Sequence, residues 1–330
     1  MKHTSIKSLS GICLLAFGLC ACSKTAETIN SGFPQDGVVR ISTGTCAPLT
    51  KATGDVSAYS GDSLGFFIWY GDGSDRCTKR NVKWTKDAST GEWTPDALVV
   101  WKNETDTPHI WAYAPYNDLQ KYISTIDECG TVIFAVPANQ SAGTEAADLV
   151  GWGIKNYVPD HSVNENFSED GKIIVSFSHK LVKLTLDFVI RSQFDSDVTI
   201  SKVVLKNTTA KVSFNLFDPN ATRATADSQN RDITFHKVND LRYEGVFFPG
   251  PGQEPGAKML EVTMSDGTVL SYTISSRGLF GGSDKFECGY AYTMQMYLGR
   301  NKIELKQVSL DEWMSSRIEI DGGEATETLI

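Results

Sequence analysis

After residue 36 the chain is a succession of short apolar or alternating runs, each ended by turn residues such as glycine, proline or aspartate. The clearest run spans residues 182–190, where apolar residues at even positions alternate with polar ones at 183, 185 and 187. A period of two places the apolar side chains on one face, which is the pattern of a β-strand with one buried side. Another run, residues 259–274, is interrupted by Asp266-Gly267 and predicts a hairpin. These patterns predict an all-β fold.

Helical periodicity is nearly absent, and the best helical candidate is the capping-box pattern of residues 309–312. Roughly fifteen strands in a chain of 330 residues favour two tandem β-sandwich domains over a single barrel. We place the boundary near Ser178, between two strand-like runs. This gives an N-terminal domain of residues 37–178 and a C-terminal domain of residues 179–330.

The charge balance excludes one class of partner. The chain carries 31 basic and 40 acidic side chains, a formal net charge of −9. A surface that binds nucleic acid needs clustered lysine and arginine, and the sequence has no such cluster. Nucleic acid is therefore not expected as a partner.

The N-terminus has the pattern of an export signal. Lys2 and Lys7 precede an apolar run over residues 12–19, which is shorter than the ~20 residues needed to span a bilayer. The sequence Leu19-Cys20-Ala21-Cys22 then resembles a bacterial lipobox, in which the last cysteine is acylated, for example with palmitate, and begins the mature chain. We predict a lipoprotein signal peptide over residues 1–21, lipidation of Cys22 and a polar tether over residues 22–36. The alternative is an ordinary secretory signal cut after Ala21, with Cys22 incidental.

Four cysteines remain after Cys22: Cys46, Cys77, Cys129 and Cys288. None lies in a CxxC pair or a Cys/His cluster, so no metal site is expected. An even number in an exported protein permits disulfides, and the sequence cannot choose among the three possible pairings. Isolated cysteines of this kind also serve as small apolar core residues.

Two short patterns suggest chemistry that the rest of the chain does not support. Residues 61–64 spell the GDSL signature of a class of serine esterases, with Ser63 as nucleophile. The partner aspartate should precede a histidine by three residues, whereas Asp232 precedes His236 by four. Residues 72–75 resemble the start of a calcium loop but lack its length and terminal glutamate. We therefore expect no catalytic residue, no cofactor and no metal.

Six tryptophans crowd into the expected N-terminal domain. Exposed tryptophans can stack on sugar rings, whereas tryptophans in strands commonly belong to a core. The cluster leaves both roles open, and it consists of Trp69, Trp84, Trp93, Trp101, Trp111 and Trp152.

Several short segments in the chain form an ordered set. The segments are 38–43 (VVRIST), 50–55 (TKATGD), 60–68 (SGDSLGFFI), 111–116 (WAYAPY), 136–141 (VPANQS), 177–184 (FSHKLVKL), 290–298 (YAYTMQMYL) and Trp313. This set resembles the fimbrillin-like family of Bacteroides-type pilus subunits and anchors. Each segment is weakly specific by itself, but together they run through most of the mature chain in the family's order.

The resemblance implies two transthyretin-like β-sandwich domains and assembly by strand exchange. In that scheme a protease removes the first strand, here residues 37–43, and a neighbouring subunit fills the groove. By position the cut follows Lys51, where the family's major subunits commonly carry arginine. Arg40 is the other basic candidate, but it lies inside the strand. A chain that is not cut would keep its lipid, as an anchor or minor subunit does.

These observations predict a non-enzymatic fimbrial subunit or adhesion lipoprotein, anchored to the cell outer membrane and exposed at the surface. Its expected partners are other fimbrial subunits, the membrane through the lipid, and host or bacterial surface glycans or proteins. The tail from Ile318 to Ile330 is either a donor strand, by the alternation of Ile318 and Ile320, or a frayed terminus. The alternative function is a surface glycan-binding lipoprotein that never polymerises.

Overall fold

A computed structural model describes residues 32–43, 61–122, 128–192, 194–195, 197–218, 222–279, 285–313 and 317–318. Within these ranges the regular secondary structure is nearly all strand. The strands are β1 (Arg40–Thr43), β2 (Ser63–Trp69), β3 (Lys79–Lys86), β4 (Trp93–Pro95), β5 (His109–Ala114), β6 (Thr131–Ala135), β7 (Val150–Ile154), β8 (Lys172–Val175), β9 (Ser178–His179), β10 (Val182–Ile190), β11 (Ile200–Thr209), β12 (Lys211–Asn215), β13 (Arg223–Ala224), β14 (Asn230–Thr234), β15 (His236–Lys237), β16 (Arg242–Phe247), β17 (Lys258–Met264), β18 (Val269–Thr273), β19 (Tyr290–Leu298), β20 (Ile303–Glu312) and β21 (Arg317–Ile318). Short 3₁₀ helices occur at Asp118–Tyr122, Glu145–Ala147 and Pro251–Gln253.

The first half of the chain is built on a six-stranded sheet with the order β4-β3-β2-β5-β7-β9. Its neighbouring strands all pair antiparallel. A separate two-stranded sheet joins β1 to β8 in parallel. One apolar cluster fills this region and includes Leu64 and Phe66 of β2, Trp84 of β3, and Ile173 and Val175 of β8. This sheet and cluster place the first strand against a core.

The second half contains a six-stranded sheet, β15-β16-β10-β19-β20-β21, and a four-stranded sheet, β14-β11-β17-β18. Strand β10 spans the residues predicted from the alternating pattern, with Val182, Leu184, Leu186 and Phe188 buried. The hairpin around Asp266 is also confirmed, because β17 and β18 pair antiparallel across it. The Asp266 carboxylate accepts the Thr268 N–H at 2.8 Å, which supports the turn.

A three-stranded sheet combines both halves, because β6 pairs with β12, and β12 also pairs with β13. The turn after β12 packs closely against two glycines of β7. An added Cβ on Gly151 would lie 2.4 Å from Leu216, and one on Gly153 would lie 2.9 Å from Phe217. The expected boundary at Ser178 falls at β9, and the division into two transthyretin-like domains stays a prediction.

The all-β class is confirmed, and the one helical candidate is wrong. Residues 309–312 belong to β20, where Tyr290 lies opposite Glu312 and Thr293 opposite Ser309. Pairing with the nine-residue strand β19 outweighs a local capping pattern. None of the helices in the described ranges is long and apolar enough to cross a membrane.

Candidate strand-exchange site

The first strand is held at both of its ends by backbone hydrogen bonds. The Val39 N–H donates to the Val99 carbonyl at 3.0 Å, and the Trp101 N–H donates to the Gly37 carbonyl at 2.9 Å. From Arg40 onward the partner changes to β8, in parallel register from Arg40 opposite Lys172 to Thr43 opposite Val175. Residues 37–43 therefore have two different partners along their length: residues 99–101 at the N-terminal end and β8 from Arg40 onward.

Two alternate side chains of this strand enter the core. Val39 is 1% exposed and Ile41 is 5% exposed, whereas Arg40 between them faces solvent. Both apolar side chains belong to the cluster that contains Leu64, Phe66 and Ile173. Burial of two aliphatic side chains contributes about 3–6 kcal/mol in total. The strand thus closes the core in the way that one strand of a sandwich does.

Aromatic rings fix the approach to the strand. Phe33 lies 6.1 Å from Trp101 between ring centroids, and Trp101 stacks on Tyr157 at 6.0 Å and 22°. Phe167 meets Trp101 edge-on at 5.9 Å. The Tyr157 hydroxyl donates to the Asn166 carbonyl at 2.5 Å, and burial raises the pKa of this phenol far above its usual value. The segment before β1 is consequently docked onto the same core.

Arg40 makes a local ion pair at the surface. Its Nη2 lies 2.6 Å from Asp36 Oδ2, and its Nη1 donates to Asp36 Oδ1 at 3.1 Å. The Arg40 hydrogen bond, aided by the Val38 N–H, lowers the pKa of Asp36 to about 2. The side chains of both partners are about half exposed, so the pair holds the turn with little net stabilisation.

The structure places only some of the predicted site residues. Arg40 lies within the paired part of the strand, so its peptide bond is engaged in the sheet. Cys22, Lys51 and Cys46 lie outside the described residues. Of the tail, β21 pairs antiparallel with β20, and residues 319–330 also lie outside the described ranges.

The tryptophan cluster is a core feature and not a sugar-stacking face. All six tryptophans of residues 69–152 are buried, the most accessible being Trp93 at 9%. Trp111 illustrates the reason: it stacks on Phe67 at 4.5 Å and meets Phe217 edge-on at 5.7 Å. The observation on which glycan binding rested is therefore absent.

The esterase and calcium patterns also have structural explanations. Ser63 begins β2, Asp232 pairs with Lys206 at 2.5 Å, and His236 Nδ1 lies 3.0 Å from the Ser141 carbonyl oxygen. Asp72 accepts hydrogen bonds from the Ser74 N–H and hydroxyl, which is a turn. Asp75 bonds the Cys77 N–H and pairs with Lys102. In the described part of the chain no three His, Cys, Asp or Glu side chains converge on a possible metal position.

Within the described residues Cys77, Cys129 and Cys288 are free thiols. Cys77 and Cys129 are buried, as expected for small apolar residues, and Cys288 is exposed. Burial raises the pKa of Cys129 to about 11.

Sequence reasoning missed the partners of the first strand. Residues 98–101 and 173–177 are strand-like apolar runs, but their sequence does not show that both contact residues 37–43. Sequence reasoning also missed the stack of His179 on Trp313, with centroids 4.0 Å apart and planes 2° apart, and the 2.7 Å contact of His179 with Asp148. A histidine in a strand gives no local signal of either contact.

Comparison with known proteins finds a family model and relatives that match most of the chain. The family model described as fimbrillin-like matches residues 50–313. A candidate fimbrium subunit, Fim1C of Bacteroides uniformis, is 21% identical over 301 residues, covering 89% of this chain and 91% of that protein.

Solved structures share the fold. A candidate cell adhesion protein from Bacteroides uniformis superposes with a TM-score of 0.58 at 19% identity, covering 85% of this chain and 99% of that one. The tip fimbrial protein Mfa3 from Porphyromonas gingivalis, with a C-terminal truncation, gives a TM-score of 0.50 at 14% identity over 76% of this chain and 94% of that one.

Proposed function

The chain belongs to the fimbrillin-like family, and we propose that it is a non-enzymatic, surface-anchored fimbrial subunit or adhesion lipoprotein that assembles by strand exchange when its first strand is removed. The observation that carries the proposal is the first strand itself. It is short, it is the first of the described strands, and it covers the core with two alternate apolar side chains, Val39 and Ile41.

Removal of residues 37–43 would create an acceptor groove of defined chemistry. The outer edge of β8 and the backbone of residues 99–101 would lose their partners, and two side-chain positions in the core would open. An extended segment with apolar residues at alternate positions can replace the removed strand, because its backbone restores the hydrogen bonds and its side chains refill the two core positions. Most proteins protect an exposed sheet edge from pairing with another chain, whereas here the exposed edge would be used for assembly.

The donor in this proposal is the C-terminal tail of a neighbouring subunit. Ile318 and Ile320 alternate as Val39 and Ile41 do, which is the spacing that two positions on one face of a strand require. Ile318 belongs to β21, a two-residue strand at the edge of its sheet, and so short a pairing is readily released.

The location proposed is the cell outer membrane, with the acyl chains of Cys22 as the anchor and the fimbrium as the assembled form. Two or three acyl chains hold a protein firmly at a bilayer, at about 0.8 kcal/mol for each buried CH₂. Fim1C, by its name a candidate fimbrium subunit, supports a fimbrial setting for this chain. Surface glycans or proteins remain partners for an adhesion role, although no tryptophan of the 69–152 cluster is available to stack on a sugar.

The deciding experiment is mass spectrometry of the N-terminus of the protein isolated from its native membrane. A mature chain that starts at Ala52 supports removal of the first strand and polymerisation. A chain that starts at acylated Cys22 supports the anchor form, in which the strand stays. An unacylated N-terminus before residue 37 contradicts both the lipid anchor and the strand removal.

Two variants test the remaining parts. Cys22→Ala should move the protein from the membrane fraction to the soluble fraction, whereas the matched variant Cys20→Ala should not. Ser63→Ala should leave any ester hydrolysis by the purified protein unchanged, and a loss of such activity would contradict the non-enzymatic assignment.

A further inference from the structure

Among the described residues, a side chain and not a strand closes the edge of β6. Strand β6 is the outer strand of the three-stranded sheet, and β12 is the one described strand that pairs with it. Gln120, on the 3₁₀ helix Asp118–Tyr122, lies against the other side. Its Oε1 accepts the Ile133 N–H at 3.1 Å, and its Nε2 donates to the Ile133 carbonyl oxygen. Ile133 is the central residue of β6.

A carboxamide presents the same donor and acceptor as a peptide group. Gln120 therefore occupies the place that one peptide unit of an added strand would take. The side chain is only 4% exposed, so it is held in this position by its surroundings. Any strand approaching β6 from solvent has to displace it.

The surface around this contact would favour pairing if it were open. The side chains of Ile133 and Leu119 are 42% and 69% exposed, and both flank the Gln120 contact. An edge strand with exposed apolar side chains is a template for association with another chain. The sequence of β6, Thr-Val-Ile-Phe-Ala, is rich in strand-forming residues and carries no charge.

We propose that Gln120 is an edge-capping residue that prevents β6 from pairing with the β6 strand of a second copy of this chain. The blocked contact is antiparallel and isologous, so both copies would present the same edge. In a protein that assembles by strand exchange, capping the β6 edge leaves the groove opened by removal of residues 37–43 as the place where a donor strand binds. The capping itself does not depend on the strand-exchange function, because it concerns the chain with its first strand in place.

Gln140 provides a matched control inside the fold. It makes the same pair of bonds to one residue, accepting the Val246 N–H at 2.8 Å and donating to the Val246 carbonyl at 2.6 Å. It is 2% exposed, and its own N–H donates to the Thr234 carbonyl. Its Nε2 also donates to the Pro137 carbonyl at 3.1 Å. Replacing Gln140 therefore removes the same pair of bonds to one residue, and this further bond, without opening the β6 edge.

The test compares Gln120→Leu with Gln140→Leu in the full chain carrying Cys22→Ser, so that lipid does not drive association. Sedimentation velocity across a wide range of protein concentration measures self-association, and hydrogen exchange followed by mass spectrometry measures protection of the Ile133 amide. We expect Gln120→Leu to exchange about tenfold faster at Ile133, since the hydrogen bond of the Ile133 N–H is lost, and to form dimers, since both polar groups of Ile133 are left without the carboxamide. Gln140→Leu should remain monomeric. Adding Ile133→Lys to Gln120→Leu should restore the monomer, because two lysines would meet across the isologous pair.

Three results would overturn the proposal. Gln120→Leu could stay monomeric although Ile133 exchanges faster, or both glutamine variants could associate equally, or Ile133→Lys could leave the dimer intact. If Gln120→Leu does not fold, Gln120→Met, which keeps the length of the side chain, is measured in its place. In the unmodified chain the Ile133 amide must be protected, and exchange at the rate of a free peptide would refute the cap directly.

Discussion

Truncating Ile41 measures how much the first strand contributes to the free energy of unfolding. The side chain is 5% exposed and packs in the cluster with Phe66 and Ile173. Ile41→Ala removes three carbon atoms, about 2.4 kcal/mol of transfer free energy at 0.8 kcal/mol each. The cavity left in a packed core adds to this, and measured Ile→Ala costs are about 2–5 kcal/mol. We expect the free energy of unfolding to fall by about 3 kcal/mol.

The matched control is Ile174→Ala on the neighbouring strand. Ile174 is the same residue type and pairs with Ser42 across β1 and β8, but it is half-buried. Its truncation should cost roughly half as much, since the transfer term scales with the area removed from water. The two variants share a sheet and a residue type, so the difference in cost reports depth in the core.

Urea unfolding followed by tryptophan fluorescence is the appropriate assay. The six tryptophans of residues 69–152 are buried, and several pack in the same cluster as Ile41, so the signal follows this region of the chain. A loss below about 1 kcal/mol for Ile41→Ala, or a loss no larger than that of Ile174→Ala, would refute the view that the first strand is a full member of the core.

Three other perturbations have defined outcomes. Asp36→Asn should lower the melting temperature slightly at neutral pH. Because the pKa of Asp36 in the folded protein is lowered to about 2, its stabilising effect is present above about pH 4 and is lost as the pH falls toward 2. The melting temperatures of the two proteins should therefore converge near pH 2. Gly151→Ala should cost about 1 kcal/mol in urea unfolding, because the new Cβ would lie 2.4 Å from a terminal methyl group of Leu216, which has to turn aside; no loss would contradict the close packing of that turn. A maleimide applied to the native protein should label Cys288 before Cys129, because Cys288 is exposed and Cys129 is buried. Labelling should be slow at both, since the pKa of Cys288 is raised to about 12 and that of Cys129 to about 11; site-resolved mass spectrometry that finds Cys129 labelled first would contradict its burial.

Local patterns explain which parts of the fold were predictable. Strand β10 and the hairpin at Asp266 follow from alternation and turn chemistry, both of which act within a few residues. The tryptophans were ambiguous for a structural reason. Successive residues of β2 enter different clusters, with Phe66 in one and Phe67 and Trp69 in the other, so both faces of this strand are covered. Alternation cannot reveal a strand that is buried on two sides.

Contacts between distant segments were not predictable. The pairing of β1 with β8 joins residues far apart in the sequence, and each strand looks complete when taken alone. The cap on β6 is similar, because Gln120 has no pattern that distinguishes it from an exposed glutamine; its role depends on Ile133 lying opposite. The family resemblance supplied the first strand as a candidate site, and the structure supplies the partners that hold it.

These partners also decide which cut would serve the proposed exchange. A cut after Arg40 would leave Ile41 in the chain, still paired with Ile173 and still filling its position in the core. The groove would then be blocked by a side chain whose burial contributes about 1.5–3 kcal/mol. A cut after Lys51 would free Val39 and Ile41 together and leave an incoming strand both positions. The geometry therefore favours Ala52 over Ile41 as the mature N-terminus, and a processed chain that begins at Ile41 would argue against removal of the first strand as the step that opens the groove.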